Sequence, residues 1–236
     1  MRSRIAVLAS GGGTNLQSIL DHFDRLGQRR NGDVVLVASD RGDAGALERA
    51  RRRGIPAATL ATRRNPGDAH IADLLEEHSI DLVALAGYLQ LVPADVVRRY
   101  AGRMVNVHPA LLPSFGGPGM YGRRVHQAVL DAGAVVSGAT VHYVDEIYDH
   151  GRIIAQWPVP VLAGDDAASL TARVLRVEHT LYPRVLDALA SGRITISSSL
   201  GFGGHVDQNA AFSLAAPDDS CLGEAIDSAF QEGQSR

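Results

Sequence analysis

Cysteine is almost missing from this chain. Its one cysteine, Cys221, among 236 residues, cannot form an internal disulfide and rules out a cysteine-based zinc site. No apolar run approaches the ~20 residues that span a bilayer. The start, Met1-Arg2-Ser3-Arg4 and then Ile5 to Ala9, lacks the longer apolar stretch and cleavage site of a signal peptide. Basic blocks are also missing, and a formal charge of −3 argues against a nucleic-acid partner. Small anionic substrates stay open, because they need only local positive potential. No His-Glu-x-x-His or comparable ligand pair occurs, so no metal is expected. The default expectation is a cytoplasmic protein without membrane or nucleic-acid partners. What is present is ordinary globular material, with 45% AVILMFWYC and 21% charged residues. A chain this long buries roughly 70% of its unfolded surface and needs no staple.

The apolar runs at 5–9, 34–38, 81–86 and 104–107 read as strands buried on both faces, with 56–60 a shorter candidate. Between them, Leu16, Ile19, Leu20 and Phe23 fall at helical spacing, and 44–53, 68–78 and 93–100 read as helices. This alternation predicts an α/β fold, a mostly parallel sheet with helices on both faces. Residues 109–122 are a Pro- and Gly-rich loop, followed by a helix at 125–132. The β-rich runs 135–144 and 153–161, with a turn between them, form an antiparallel pair. A long helical stretch covers 167–189, and Pro183 is a candidate break. The expected domain is 1–195. Residues 196–236, rich in Ser, Gly, Ala and Asp, are expected to be a C-terminal extension, partly disordered.

Three places carry chemistry. Ser10-Gly11-Gly12-Gly13-Thr14-Asn15 lies between a strand and a helix, where unpaired N–H groups and the helix dipole attract an anion. No Lys follows the last Gly and position 16 is Leu, so neither a Walker A nor a Gly-x-Gly-x-x-Gly pattern is present. A tight turn capped by Thr14 is the competing reading. At the end of the fifth strand, Asn106-Val107-His108-Pro109 places an amide and an imidazole on one face. Such a pair suits a reaction that develops an oxyanion and moves protons. A capping Asn and a satisfied His fit equally well. Third, Asp149 can act on an imidazole across a cleft, although its charged neighbours read most simply as a solvated turn. His22, His70, His78 and His126 read as surface or packing residues. His142, on a strand, is a core or supporting residue.

Ser10-Gly-Gly-Gly-Thr-Asn-Leu-Gln17, Leu85-Ala-Gly-Tyr-Leu89, Asn106-Val-His-Pro-Ala-Leu-Leu-Pro-Ser-Phe115, Gly138-Ala-Thr-Val-His-Tyr-Val144 and Glu178-His-Thr-Leu-Tyr-Pro183 occur in order. Together they resemble the phosphoribosylglycinamide formyltransferase family over about residues 4–195. The resemblance implies a single-domain, Rossmann-like formyltransferase fold. It implies transfer of a formyl group from 10-formyltetrahydrofolate to the amine of glycinamide ribonucleotide, in purine biosynthesis, without a metal. By the same resemblance Asn106, His108 and Asp149 are catalytic. Gly13, Thr14, Asn15 and Glu178 bind the ribonucleotide. Arg64, Leu89, Gln90, Leu91, Val92, Asn106, Asp145 and Tyr148 bind the folate. Partners are then small molecules, acting on a monomer or homodimer.

The chain departs from the family at Gln90, often Arg, and at Asp149-His150-Gly151-Arg152, commonly Asp-Gly-Gly-Pro or Asp-x-Gly-Pro. Its 116–122 loop is longer than in many members. A formyltetrahydrofolate hydrolase is one alternative, but such hydrolases carry an extra N-terminal domain and this chain starts at its first strand. A non-catalytic folate or nucleotide binder is the other.

Overall fold

The computed structural model describes residues 1–61, 67, 69–194 and 224. Seven strands form one sheet in the order β3-β2-β1-β4-β5-β6-β7. They are β1 Ser3–Leu8, β2 Gly32–Ser39, β3 Ala57–Thr59, β4 Leu82–Leu85, β5 Met104–His108, β6 Val136–Tyr143 and β7 Ile153–Pro160. Pairing is parallel from β3 through β5 and antiparallel at β5–β6 and β6–β7. The mostly parallel α/β sheet with an antiparallel end is therefore as expected. Helices are α1 Thr14–Leu26, α2 Gly45–Arg52, α3 Ile71–Glu77, α4 Ala94–Arg99, α5 Arg123–Asp131 and α6 Ala167–Ala190.

Alternation along the strands feeds two cores. Ile5, Val7 and Ala9 pack in one layer with Leu16 of α1 and Leu181 of α6. Ala6 and Leu8 pack in the other with Leu75 of α3 and Val96 of α4. In β5, Val105 and Val107 join the first layer and Met104 the second. Asn106 and His108 share Met104's parity, so both sit on the second face, at the strand's carboxyl end.

β1 runs outward to β3 before the chain returns to β4 beside β1. The carboxyl ends of β1 and β4 thus flank the point where strand order reverses, where ligands bind in such sheets. The two following loops are tied there: Ser10 N–H donates to the Gly87 carbonyl at 3.0 Å, and Leu89 N–H donates to Ser10 Oγ at 2.9 Å. α6 runs unbroken through Pro183, contrary to the candidate break. Proline there removes one N–H but leaves the rest of the turn intact, and burial of Leu181, Tyr182, Val185 and Leu186 holds the helix. The completely buried Tyr182 hydroxyl bonds the Leu85 and Val105 carbonyls at 3.0 and 3.1 Å, pinning α6 beneath β4 and β5. Most of the 196–236 extension lies outside the described residues.

Candidate active site

A cavity of about 390 Å³ opens along the carboxyl ends of the strands. Asn106 and His108 reach it from β5, Asn15 from α1, Glu178 from α6 and Asp149 from the β6–β7 loop.

Register explains the first contact. Asn106 pairs directly with His142 across the antiparallel β5–β6 ladder. Asn106 Nδ2 lies 3.1 Å from His142 Nε2, and His142 Nδ1 lies 2.8 Å from the Tyr143 carbonyl. That carbonyl only accepts, so His142 carries its proton on Nδ1 and receives the Asn106 amide at Nε2. Burial lowers the His142 pKa and keeps the ring neutral. Asn106 is thereby fixed, with its second amide hydrogen unused among the described residues.

His108 is held between two acceptors. Its Nε2 lies 2.9 Å from the Phe115 carbonyl, and its Nδ1 lies 3.4 Å from Asp149 Oδ1. Both partners only accept, so each ring nitrogen faces an acceptor. Burial acts to raise the Asp149 pKa, but the hydrogen bond and charge of His108 outweigh it, helped by the Gly117 N–H at 2.9 Å. The net result is a carboxylate below its usual range. Phe115 and Asp149, which grip His108 from either side, have φ of 57° and 53°. Such angles are uncommon outside glycine and concentrate at functional sites. Gly116 lets them meet, since a Cβ there would lie 2.6 Å from Leu112 Cδ2 and 3.1 Å from Asp149 Cβ.

At the other end, Asn15 Nδ2 donates to Glu178 Oε2 at 2.6 Å. Glu178 is 7% exposed. Burial pushes its pKa up to about 7, against the opposing effects of Asn15 and His108. Among the described residues the buried Asn15 Oδ1 has no partner. Gly13, at φ 74°, is the N-cap of α1, and no side chain caps the helix. The alternative in which Thr14 is the cap is therefore wrong; Thr14 is the first helical residue. Gln17 N–H is bonded to the Gly13 carbonyl at 2.9 Å, which leaves the N–H groups of Thr14, Asn15 and Leu16 without a partner inside the helix.

Leu89, Gln90, Leu91, Val92, Asp145 and Tyr148 all line the cavity. Leu89, Leu91, Ile147 and Tyr148 are exposed apolar groups around its mouth. Asp145 closes its own loop, accepting from Ile147 N–H at 2.9 Å and facing His150 Nδ1 at 2.8 Å. Arg64 lies outside the described residues.

One further histidine lines the cavity. His126, read as surface or packing, is buried in the cavity wall, and its Nδ1 lacks a partner among the described residues. Burial, then the charge of His108, lowers its pKa to about 4. Its helical spacing with Val129 signals only burial. Among the described residues, no group of three or more His, Cys, Asp or Glu is placed to hold a metal ion, and no helix is long and apolar enough to cross a membrane.

Known proteins share this architecture. The chain is 45% identical over 198 residues to the chloroplastic phosphoribosylglycinamide formyltransferase of Arabidopsis thaliana, a match covering 82% of this chain and 67% of that protein. It is 40% identical over 194 residues to phosphoribosylglycinamide formyltransferase of Escherichia coli K12, covering 80% and 88%. The crystal structure of glycinamide ribonucleotide transformylase 1 from Symbiobacterium toebii superposes with a TM-score of 0.75 at 42% identity, covering 84% and 92%. This chain spans between 62% and 67% of the length of the plant relatives it matches. The formyl transferase family model matches residues 3–186, from the first residue of β1 into α6. A match that takes in every strand of the sheet and each side chain of the His108 cluster places the chain in the formyl transferase family.

Proposed function

We propose that this protein transfers the formyl group of 10-formyltetrahydrofolate to the amine of N1-(5-phosphoribosyl)glycinamide, a step of purine biosynthesis. The products are formylglycinamide ribonucleotide and tetrahydrofolate. The observation that carries the reading is the convergence of Asn106, His108 and Asp149 on one end of the cavity.

The chemistry follows from those groups. Attack of the amine on the formyl carbon moves an electron pair onto the formyl oxygen. Asn106, fixed by His142, offers its unused amide hydrogen to that oxyanion. His108 supplies a second donor and the proton that the leaving nitrogen of the folate needs. Its Nε2 lies 2.9 Å from the Phe115 carbonyl, so the ring must release that carbonyl to act. Asp149 faces the ring with its carboxylate and orients a water that takes the proton lost by the amine. One proton leaves the amine and one reaches the folate nitrogen, so the step balances.

Binding divides between the two ends. Gly13, Thr14 and Asn15 hold the phosphate at the start of α1. Glu178 accepts from the ribonucleotide's polar hydrogens. Leu89, Gln90, Leu91, Val92, Asp145 and Tyr148 hold the folate, with Arg64 belonging to the same group. Incubating the protein with both substrates and weighing the ribonucleotide by mass spectrometry tests this. A gain of one formyl group is expected, and an unchanged ribonucleotide beside consumed folate would refute it.

A further inference from the structure

The cavity wall carries carboxylates beside its histidines. Asp145, Asp149 and Glu178 line it, no arginine does so among the described residues, and the chain contains no lysine. A phosphomonoester brings about −1.5 to −2 charges of its own. The dipole of α1 offers about half a positive charge against them.

One guanidinium stands behind the Gly-rich loop. Arg49 of α2 donates from Nε to the Gly12 carbonyl at 2.7 Å and from Nη1 to Gln17 Oε1 at 3.0 Å. Both partners are neutral. Among the described residues Arg49 has no ion pair, whereas Arg52 and Arg53 nearby are matched with Glu48, Asp21 and Asp24.

The first turn of α2 grips the loop from the same side. Ala46 N–H donates to the Gly11 carbonyl at 3.1 Å. A Cβ on Gly45 would lie 3.1 Å from Gly12 Cα, and one on Gly13 would lie 2.8 Å from Ala46 Cα. The Gly11 and Gly12 carbonyls are therefore both turned toward α2. In a trans peptide the following N–H points the opposite way. The Gly12 and Gly13 N–H groups consequently face away from α2. Asn15, 8% exposed, lines the cavity at the start of the same helix, and its Oδ1, without a partner among the described residues, is an acceptor that fits a hydroxyl or amine hydrogen of the ribonucleotide rather than its phosphate.

We propose that Arg49 is a positioning residue for the phosphate of the ribonucleotide. It draws the Gly12 carbonyl away from the ligand, presents the Gly12 and Gly13 amides to it, and supplies a guanidinium charge behind the loop, where neither arginine nor lysine lines the cavity among the described residues. This rests on the reading that the loop ending at Asn15 holds that phosphate.

Steady-state kinetics on the full chain, with inorganic phosphate as a competing probe, test it. In the wild type, phosphate competes with the ribonucleotide and not with the folate. Arg49→Gln raises both the ribonucleotide KM and the phosphate inhibition constant by about tenfold, leaving kcat and the folate KM in place. Arg49→Lys keeps the charge and holds both rises to about two- to threefold. If Arg49→Gln does not fold, Arg49→Lys decides: unchanged phosphate inhibition overturns the assignment. Unchanged constants in Arg49→Gln overturn it as well, even beside a lowered Tm, because Arg49 is then only structural. Phosphate that fails to compete with the ribonucleotide in the wild type removes the phosphate site, and this assignment with it.

Discussion

Glu178 makes a quantitative demand on the fold. Its carboxyl is buried beneath the cavity with one hydrogen bond, from Asn15. Burial raises its pKa from the ordinary 4.5 to about 7. In the unfolded chain the group ionises near its ordinary value. Below that value it is protonated in both states and folding bears no charge penalty. As pH rises toward 7 the unfolded chain ionises while the folded protein resists, and stability falls. Above about 7 the loss is complete. The interval corresponds to roughly 3 kcal/mol, since one pKa unit is worth about 1.4 kcal/mol. Glu178→Gln keeps an oxygen for the Asn15 amide and removes the titration. Urea unfolding of the two proteins should therefore nearly coincide around pH 4.5. At pH 8 the variant should be the more stable, by up to roughly 3 kcal/mol at unchanged slope. Above about pH 7, where the carboxyl is ionised, the variant should also bind the ribonucleotide more weakly, because an ionised acceptor is replaced by a neutral amide. A stability difference that is the same at pH 5 and pH 8 refutes the buried-carboxyl argument.

Other perturbations separate the roles around His108. Asn106→Ala should lower kcat/KM by about 3 kcal/mol of transition-state stabilisation, and an effect confined to KM would make Asn106 a binding residue instead. Asp149→Asn removes the charge facing the His108 ring, so the pH–rate profile should move toward lower pH; an unmoved profile would take Asp149 out of the mechanism. Gly116→Ala crowds Leu112 and Asp149, and should reduce kcat more than affinity for the ribonucleotide, as paired kinetic and binding assays can show. Truncation after residue 195 should leave turnover intact, and a collapse of soluble expression would show that the extension packs on the domain.

Much of this arrangement could be read from the chain because its signals are local. Strands buried on both faces appear as uninterrupted apolar runs, which is why β1, β2, β4 and β5 stand out. The two-residue spacing of Asn106 and His108 fixes their common face once β5 is recognised. What escaped depends on pairing across the sheet or on backbone atoms. His142 reaches Asn106 only through the β5–β6 register. The second acceptor of His108 is a carbonyl, at Phe115, which any residue type carries. His126 lies on a helix face whose neighbours are apolar, so burial was legible and the nearby cavity was not. The continuity of α6 through Pro183 was hidden for a related reason: local propensity opposes it, while packing across 24 residues maintains it.

The most direct measurement is tetrahydrofolate release from 10-formyltetrahydrofolate, with and without glycinamide ribonucleotide. The account predicts release that requires the ribonucleotide and matches formylated product one for one. Release at the same rate without it would contradict the account, because water would then be the acceptor and Glu178 would have no substrate to hold.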